Sequence, residues 1–323
     1  MKVMTRSTCS VVALASMFAM NAFAYQPSEP IHGYLFAHMT HENYGRLYYA
    51  LSRDGLRWSR LNNNKPVKGN EYWGHADIVT GHDGRYYLMG NNKKRNAISI
   101  WVSDTLLEWE LHKDLIVNVS QLMKNAGKNR GAPKIYFDPL EKQYYISWHT
   151  SNGKRTPENA EPYWRSQRTF YITSKDLQTF SQPRRLFPWN MATIDVILRR
   201  EGDRLYAFIK DEREPSSTEP TGKSIRLSWA KSIEGPWADP GPSISPSFRE
   251  APTLIPKQDG SGWYLYYEHY TGVGYELSTA ESLAGPWYTI WNKKYRVPEL
   301  TRHGTMIPLN EQEYQRIENR FAK

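Results

Sequence analysis

Thiols are almost absent from this 323-residue chain, whose one cysteine, Cys9, lies close to the start. Once that segment is removed, the chain can form no disulfide, no zinc–thiolate centre and no cysteine nucleophile. Long hydrophobic runs are also scarce. The longest, Val11–Met20, follows Lys2 and Arg6 and precedes Ala22-Phe23-Ala24. A positive start, a short apolar stretch and a small-x-small site read as a cleavable export signal over residues 1–24. The run falls short of the roughly 20 apolar residues a membrane span requires. The expectation is a secreted or periplasmic protein whose mature chain has no membrane span.

Basic residues do not run together. The densest cluster is Lys93-Lys94-Arg95; the formal charge is +9, and +7 once Lys2 and Arg6 leave with the leader. Export and the absence of a basic tract argue against nucleic acid as a partner. Solvated surface charge accounts for the excess, and an acidic glycan is the partner class that a basic balance leaves open.

Aromatic residues, by contrast, are abundant, with 12 Trp and 22 Tyr, and 21 Gly and 20 Pro supply turns. The rings recur in order. A strand, a short polar turn and a closing aromatic appear at Tyr49–Trp58, Trp101–Trp109, Tyr171–Phe180, Ser228–Trp237 and Ser278–Trp287. Asp54, Asp104 and Asp176 in these turns read as turn formers. Aromatic strands keep step at Tyr34–Phe36, Tyr86–Met89, Tyr144–Trp148, Leu205–Ile209 and Trp263–Tyr267. Asp83-Gly84 and Asp259-Gly260 precede two of them, as hairpins prefer. A third motif comes at Ala76–Val79, Ala132–Phe137, Thr193–Leu198, Ala251–Ile255 and His303–Ile307.

Three ordered motifs, repeated five times, predict an all-β, five-bladed β-propeller in a single domain over residues 25–323. The last inner strand, 303–307, has no aromatic strand after it, and the first aromatic strand, 34–36, has no inner strand before it. Pairing them closes the ring with both chain ends in one blade and removes exposed edges. Glu311–Arg320 reads as a helix, acidic early and basic late.

In a propeller the first strand of each blade lines the central channel, so its entrance gathers residues from all blades. Those positions offer Trp73, His75 and Asp77 in blade one, Arg130 in blade two, Asp195 in blade three, Arg249 and Glu250 in blade four, and Arg302 and His303 in blade five. Asp195 stands among apolar neighbours, where a carboxylate is costly unless paired or functional. Asp195 and Glu250 on neighbouring strands would repel, raising one pKa toward that of a general acid. Pairing with Arg249 or Lys210 is the structural alternative.

Ala192-Thr193-Ile194-Asp195, Phe208–Glu212, Ile225–Ser228, Gly235-Pro236-Trp237, Arg249-Glu250-Ala251-Pro252 and Arg302-His303-Gly304-Thr305 together resemble glycoside hydrolase family 43, five-bladed propellers that cleave arabinosides, xylosides and galactosides. The resemblance implies an inverting mechanism with three acids: a base in blade one, a pKa-tuning and orienting Asp in blade three, matched by Asp195, and a general acid in blade four, matched by Glu250. It implies no required cofactor, and it matches His303 to a histidine near the axis that orders water or a calcium ion.

Blade one departs from the family pattern. Counting back from the Asp83-Gly84 turn puts His75 at the base position, and Asp77 follows two residues later. A period of two places both on one side of an ideal strand. Three readings stay open: Asp77 is the base, His75 is the base, as imidazole suits, or the base is lost and the protein binds without cleaving. The related family 117 uses a histidine in catalysis. Trp73, Trp148, Trp189 and Trp291 are candidates for a sugar-stacking subsite. Arg130, Arg249 and Arg302 either bind an acidic sugar or neutralise Asp195 and Glu250. The expected activity is an exported, inverting exo-glycosidase acting on plant or algal oligosaccharides. The rival is a carbohydrate-binding propeller without turnover.

Overall fold

A computed structural model describes residues 30–92, 96–218, 220–272 and 274–322. The predicted export signal and the cluster Lys93-Lys94-Arg95 lie outside the described residues. The described chain forms five antiparallel sheets. Blade one runs Asp77–Thr80, Tyr86–Asn91, Ile98–Ser103 and Glu110–Leu115; blade two Gly131–Asp138, Gln143–Thr150, Arg168–Ser174 and Arg184–Arg185. Blade three has three strands, Thr193–Glu201, Arg204–Asp211 and Ile225–Ala230; blade four has Arg249–Pro256, Trp263–His269, Tyr275–Ala280 and Tyr288–Thr289. Blade five opens with the C-terminal strand Thr301–Leu309, followed in space by Gly33–Thr40, Tyr48–Ser52 and Ser59–Arg60.

Closure occurs through the predicted pair of strands: Leu35 faces Ile307 and Phe36 faces Met306. The first strand of every blade touches the first strand of the next, all the way round. The second strands are buried along most of their length, and Gly33–Thr40 and Tyr86–Asn91 at every position. Each lies between two neighbouring blades, which explains why these segments read as aromatic and aliphatic runs rather than alternating patterns. Five apolar clusters among the described residues fill the five gaps between blades. The cluster between blades five and one also buries Tyr314, Ile317 and Phe321 of the helix Glu311–Phe321. That helix starts with a capping box formed by Asn310 and Glu313. In the outer turns, Asp54 and Asp176 accept backbone N–H bonds from the residues that follow them, as turn formers do.

One irregularity recurs. In blades two, three and four the inner strand carries one residue more than its partner, between Gly131 and Lys134, Ile194 and Ile197, and Glu250 and Thr253. The extra residue adopts positive φ: Ala132 at 38°, Asp195 at 50° and Ala251 at 47°. Such bulges bend a strand and re-aim its side chains, and here they sit at the end of the channel where the polar residues gather.

Candidate active site

The channel mouth opens into a cleft of about 530 Å³, a volume typical of small-ligand sites. All five blades line it: His75 from blade one, His149 from blade two, Asp195 and Lys210 from blade three, Glu250 from blade four, and Tyr44, Arg302 and His303 from blade five. Trp164, on the short helix Ala160–Arg165, joins Phe248 and Tyr270 as the other aromatic walls.

His303 is the hub. Its Nε2 lies 3.0 Å from Glu250 Oε1 and its Nδ1 3.8 Å from Asp195 Oδ2. Its backbone N–H donates to Glu268 at 2.9 Å. Arg302 reaches Glu250 at 3.3 Å and pairs with Glu268. The predicted neighbourhood of Asp195 and Glu250 is therefore present, with one imidazole between them. The positive φ of Asp195 coincides with its Oδ2 accepting the N–H of Ala251, 3.2 Å away on the next blade.

The electrostatics differ from the expected pair of repelling carboxyls. Burial pushes Glu250 up, but the His303 hydrogen bond and the charges of His303, Lys210 and Arg302 outweigh it and hold Glu250 down at about 2. Burial pushes His303 down, yet Asp195, Glu268 and Glu250 together raise it to about 9. At neutral pH the proton of this pair thus rests on His303, one hydrogen bond from Glu250. Glu268, behind them, is the carboxyl that burial raises. Lys210, buried and paired with Glu212, is lowered to about 8, chiefly by desolvation.

His75 packs against His303 with ring centroids 4.1 Å apart and planes tilted by 32°. Burial first, then the charge of His303, holds it well below the ordinary histidine value, so it is neutral. Its Nε2 lies 2.6 Å from the hydroxyl of Tyr44.

Several predicted site residues stand elsewhere. Asp77 does not reach the cleft. Its Oδ2 accepts the N–H of Ile135 at 2.7 Å, and its Oδ1 lies 3.6 Å from buried Lys134. Residues 73–76 are not regular strand, so the period-two relation between 75 and 77 fails, and Asp77 lies deeper in the channel. Trp73 does not line the cleft but packs beside Tyr44, ring centroids 6.2 Å apart. Arg130 neither faces sugar nor neutralises the acids; it clamps a loop through Val117, Gly127 and Asn129 carbonyls. Arg249 pairs with Glu276 at 2.6 Å rather than with Glu250. Trp148 is buried, Trp189 stacks on Phe187, and Trp291 is exposed away from the cleft. Of the three arginines, only Arg302 meets Glu250.

Sequence reasoning missed Tyr44, His149 and Trp164. Tyr44 and Trp164 come from connecting loops that the strand repeat ignores; His149 closes the aromatic strand Tyr144–Trp148, where its polarity was the available signal.

Calcium takes six to eight oxygen ligands. Around Asp195 the buried atoms without a hydrogen-bond partner are its own Oδ1 and Nδ1 of His75, His149 and His303. The carboxylates beside His303 are those of Asp195, Glu250 and Glu268; Glu250 and Glu268 are already paired with Arg302 and His303, which leaves fewer oxygens than the expected calcium ion takes.

Residues 29–315 match the family described as "Probable glycosyl hydrolase domain", related to glycoside hydrolase family 43. The chain belongs to this family. No curated protein matches it. Among solved structures, an exo-β-1,3-galactanase from Phanerochaete chrysosporium in complex with β-1,3-galactotriose shares 14% identity at a TM-score of 0.52, over 80% of this chain and 54% of that one. The exo-β-1,3-galactanase of Clostridium thermocellum shares 16% at a TM-score of 0.50, over 74% and 51%. The family member described here thus spans about half the length of these structures, which share its propeller fold.

Proposed function

We propose that this protein is an exported, inverting glycoside hydrolase that removes terminal sugars from plant or algal oligosaccharides. The observation that carries the reading is the hydrogen bond between His303 and Glu250, with Asp195 beside the other nitrogen of the same imidazole, at the mouth of an aromatic-walled cleft. Glu250 protonates the departing glycosidic oxygen, drawing its proton from His303. Asp195 holds His303 charged and oriented. Neutral His75 is the base candidate from blade one. An inverting enzyme needs acid and base about 6.5–9.5 Å apart, with water between. Because two structures of this fold are exo-β-1,3-galactanases, β-1,3-galacto-oligosaccharides are the first substrates to test, with arabinosides and xylosides beside them.

Two observations favour a second reading, a carbohydrate-binding propeller without turnover: Asp77 is occupied with the Ile135 backbone, and Glu250 is held ionised in the free protein. Purified protein incubated with an aryl-glycoside panel and galacto-oligosaccharides separates the two. Hydrolysis, with NMR showing the inverted anomer first, supports the hydrolase. Calorimetric binding without hydrolysis supports the binding module.

A further inference from the structure

The base of the hydrolase reading needs a second group, because His75 lines the cleft with its Nε2 held 2.6 Å from the Tyr44 hydroxyl. Resting on that reading, we propose that Tyr44 completes the base: its hydroxyl takes the proton of the attacking water while passing its own proton to Nε2 of His75.

The placement of Tyr44 carries this inference. Tyr44 is 42% exposed and lines the cleft, whereas Nδ1 of His75 is buried. The hydroxyl is 2.6 Å from Nε2, a short contact of the length expected for an O–H donor. The loop is built to hold it there. The carbonyl of Gly45 accepts the N–H of Gly74 at 3.0 Å, tying the tyrosine's neighbour to the residue before His75. Gly45 has φ of +81°, and a Cβ at this position would come within 2.3 Å of Trp73 Nε1, so only glycine lets the indole brace the loop. Trp73 therefore acts from behind Tyr44 rather than on sugar.

The two imidazoles also lie close together. Rings 4.1 Å apart do not both carry charge cheaply. As Glu250 protonates the leaving oxygen, His303 restores that proton and loses its charge. His75 gains a charge in the same turnover, so the pair carries one positive charge before and after. Water's oxygen bonds to the anomeric carbon, the glycosidic C–O bond breaks toward the leaving oxygen, and that oxygen takes the proton from Glu250. Water's proton goes to Tyr44, and Tyr44's proton goes to His75, which later releases it to solvent while His303 recovers one.

The test is Tyr44→Phe, which keeps the ring and the packing, with thermal melting as the check on folding. Loss of a general base lowers kcat by about 10²–10⁴-fold, with KM changing far less. Azide is a nucleophile that needs no deprotonation. Added to the variant with an activated aryl glycoside, it is expected to restore turnover and to form the glycosyl azide of inverted configuration. His75→Ala is expected to behave in the same way, and the double variant to be no worse than either single one. A Tyr44→Phe enzyme with near wild-type kcat overturns the relay and leaves the hydrolase reading intact, as does a slow variant that azide does not rescue. A wild-type protein that cleaves none of the panel overturns the hydrolase reading itself, and the relay with it.

Discussion

His303 faces Glu250 with Nε2 at 3.0 Å and Asp195 with Nδ1 at 3.8 Å, so one imidazole links carboxylates from two different blades. Only the first separation is a hydrogen bond. That asymmetry assigns the two acids different work: Glu250 exchanges a proton with His303, and Asp195 supplies charge.

Glu250→Gln keeps the shape and removes the proton donor. On substrates with poor leaving groups it is expected to lose about 10²–10⁴-fold in kcat/KM, and far less on activated aryl glycosides. Asp195→Asn is expected to slow both kinds, because it weakens the charge that holds the proton on His303. Equal, small losses for both variants on all substrates would mark these carboxylates as structural.

Between pH 4 and 8 stability is expected to peak near pH 6.5; above pH 8 the lowered Lys210 works against the His303 loss. His303 has a folded value of about 9, above its unfolded value of 6.5, so its contribution is complete below 6.5 and is lost as pH rises toward 9. At roughly 1.4 kcal/mol per pH unit this amounts to on the order of 3 kcal/mol. On the acid side, burial lowers His38 and His149 to about 4 and His75 further. The unfolded chain takes up these protons first, so stability falls as pH drops from 6.5 toward 4, and Glu250 adds to the loss below about 4.5. Melting temperature against pH measures both limbs. His303→Gln should flatten the alkaline one and leave the stability loss between pH 6.5 and 4 in place.

Asp77 belongs to the frame. Asp77→Ala would leave buried Lys134 without its carboxylate, a change expected to cost about 3–5 kcal/mol. Asp77→Asn keeps an acceptor for the Ile135 N–H and should cost less. Whatever fraction folds should retain a kcat near that of wild type. A folded Asp77→Asn protein with kcat reduced as far as Glu250→Gln would return Asp77 to the reaction.

Truncation after Leu300 removes Thr301–Leu309, the strand that closes the ring on Gly33–Thr40. The truncated chain is expected to show no cooperative thermal transition. A milder probe is Phe36→Ala, which empties a fully buried site packed against Trp58 and Tyr275 at a cost of about 3–5 kcal/mol. A truncated chain that melts cooperatively would show that the ring does not depend on this strand.

The position of His75 shows where reading along the chain works and where it fails. Counting residues back from the Asp83-Gly84 turn located His75 at the mouth, because hairpin register transmits position reliably over a few residues. The same strand logic brought Asp77 to the mouth and was wrong, because the backbone leaves the regular strand at residues 73–76. Arg130 and Arg249 show a related limit. A cation beside an inner strand has many carbonyls and carboxylates within reach, and adjacency in sequence does not choose among them.

By itself, the sequence determined the all-β class, the five blades, the closing pair of strands and the two central acids. Each of these depends on local patterns repeated at every blade: apolar second strands, turn residues, and polar residues at the head of the inner strand. Tertiary structure alone decided which polar groups share a proton. Tyr44 and His75 are 31 positions apart, and His303 and Glu250 are 53 apart. They meet because closing the ring brings inner strands from distant parts of the chain to one axis, and because loops between strands, free of the strand period, hang their side chains over it.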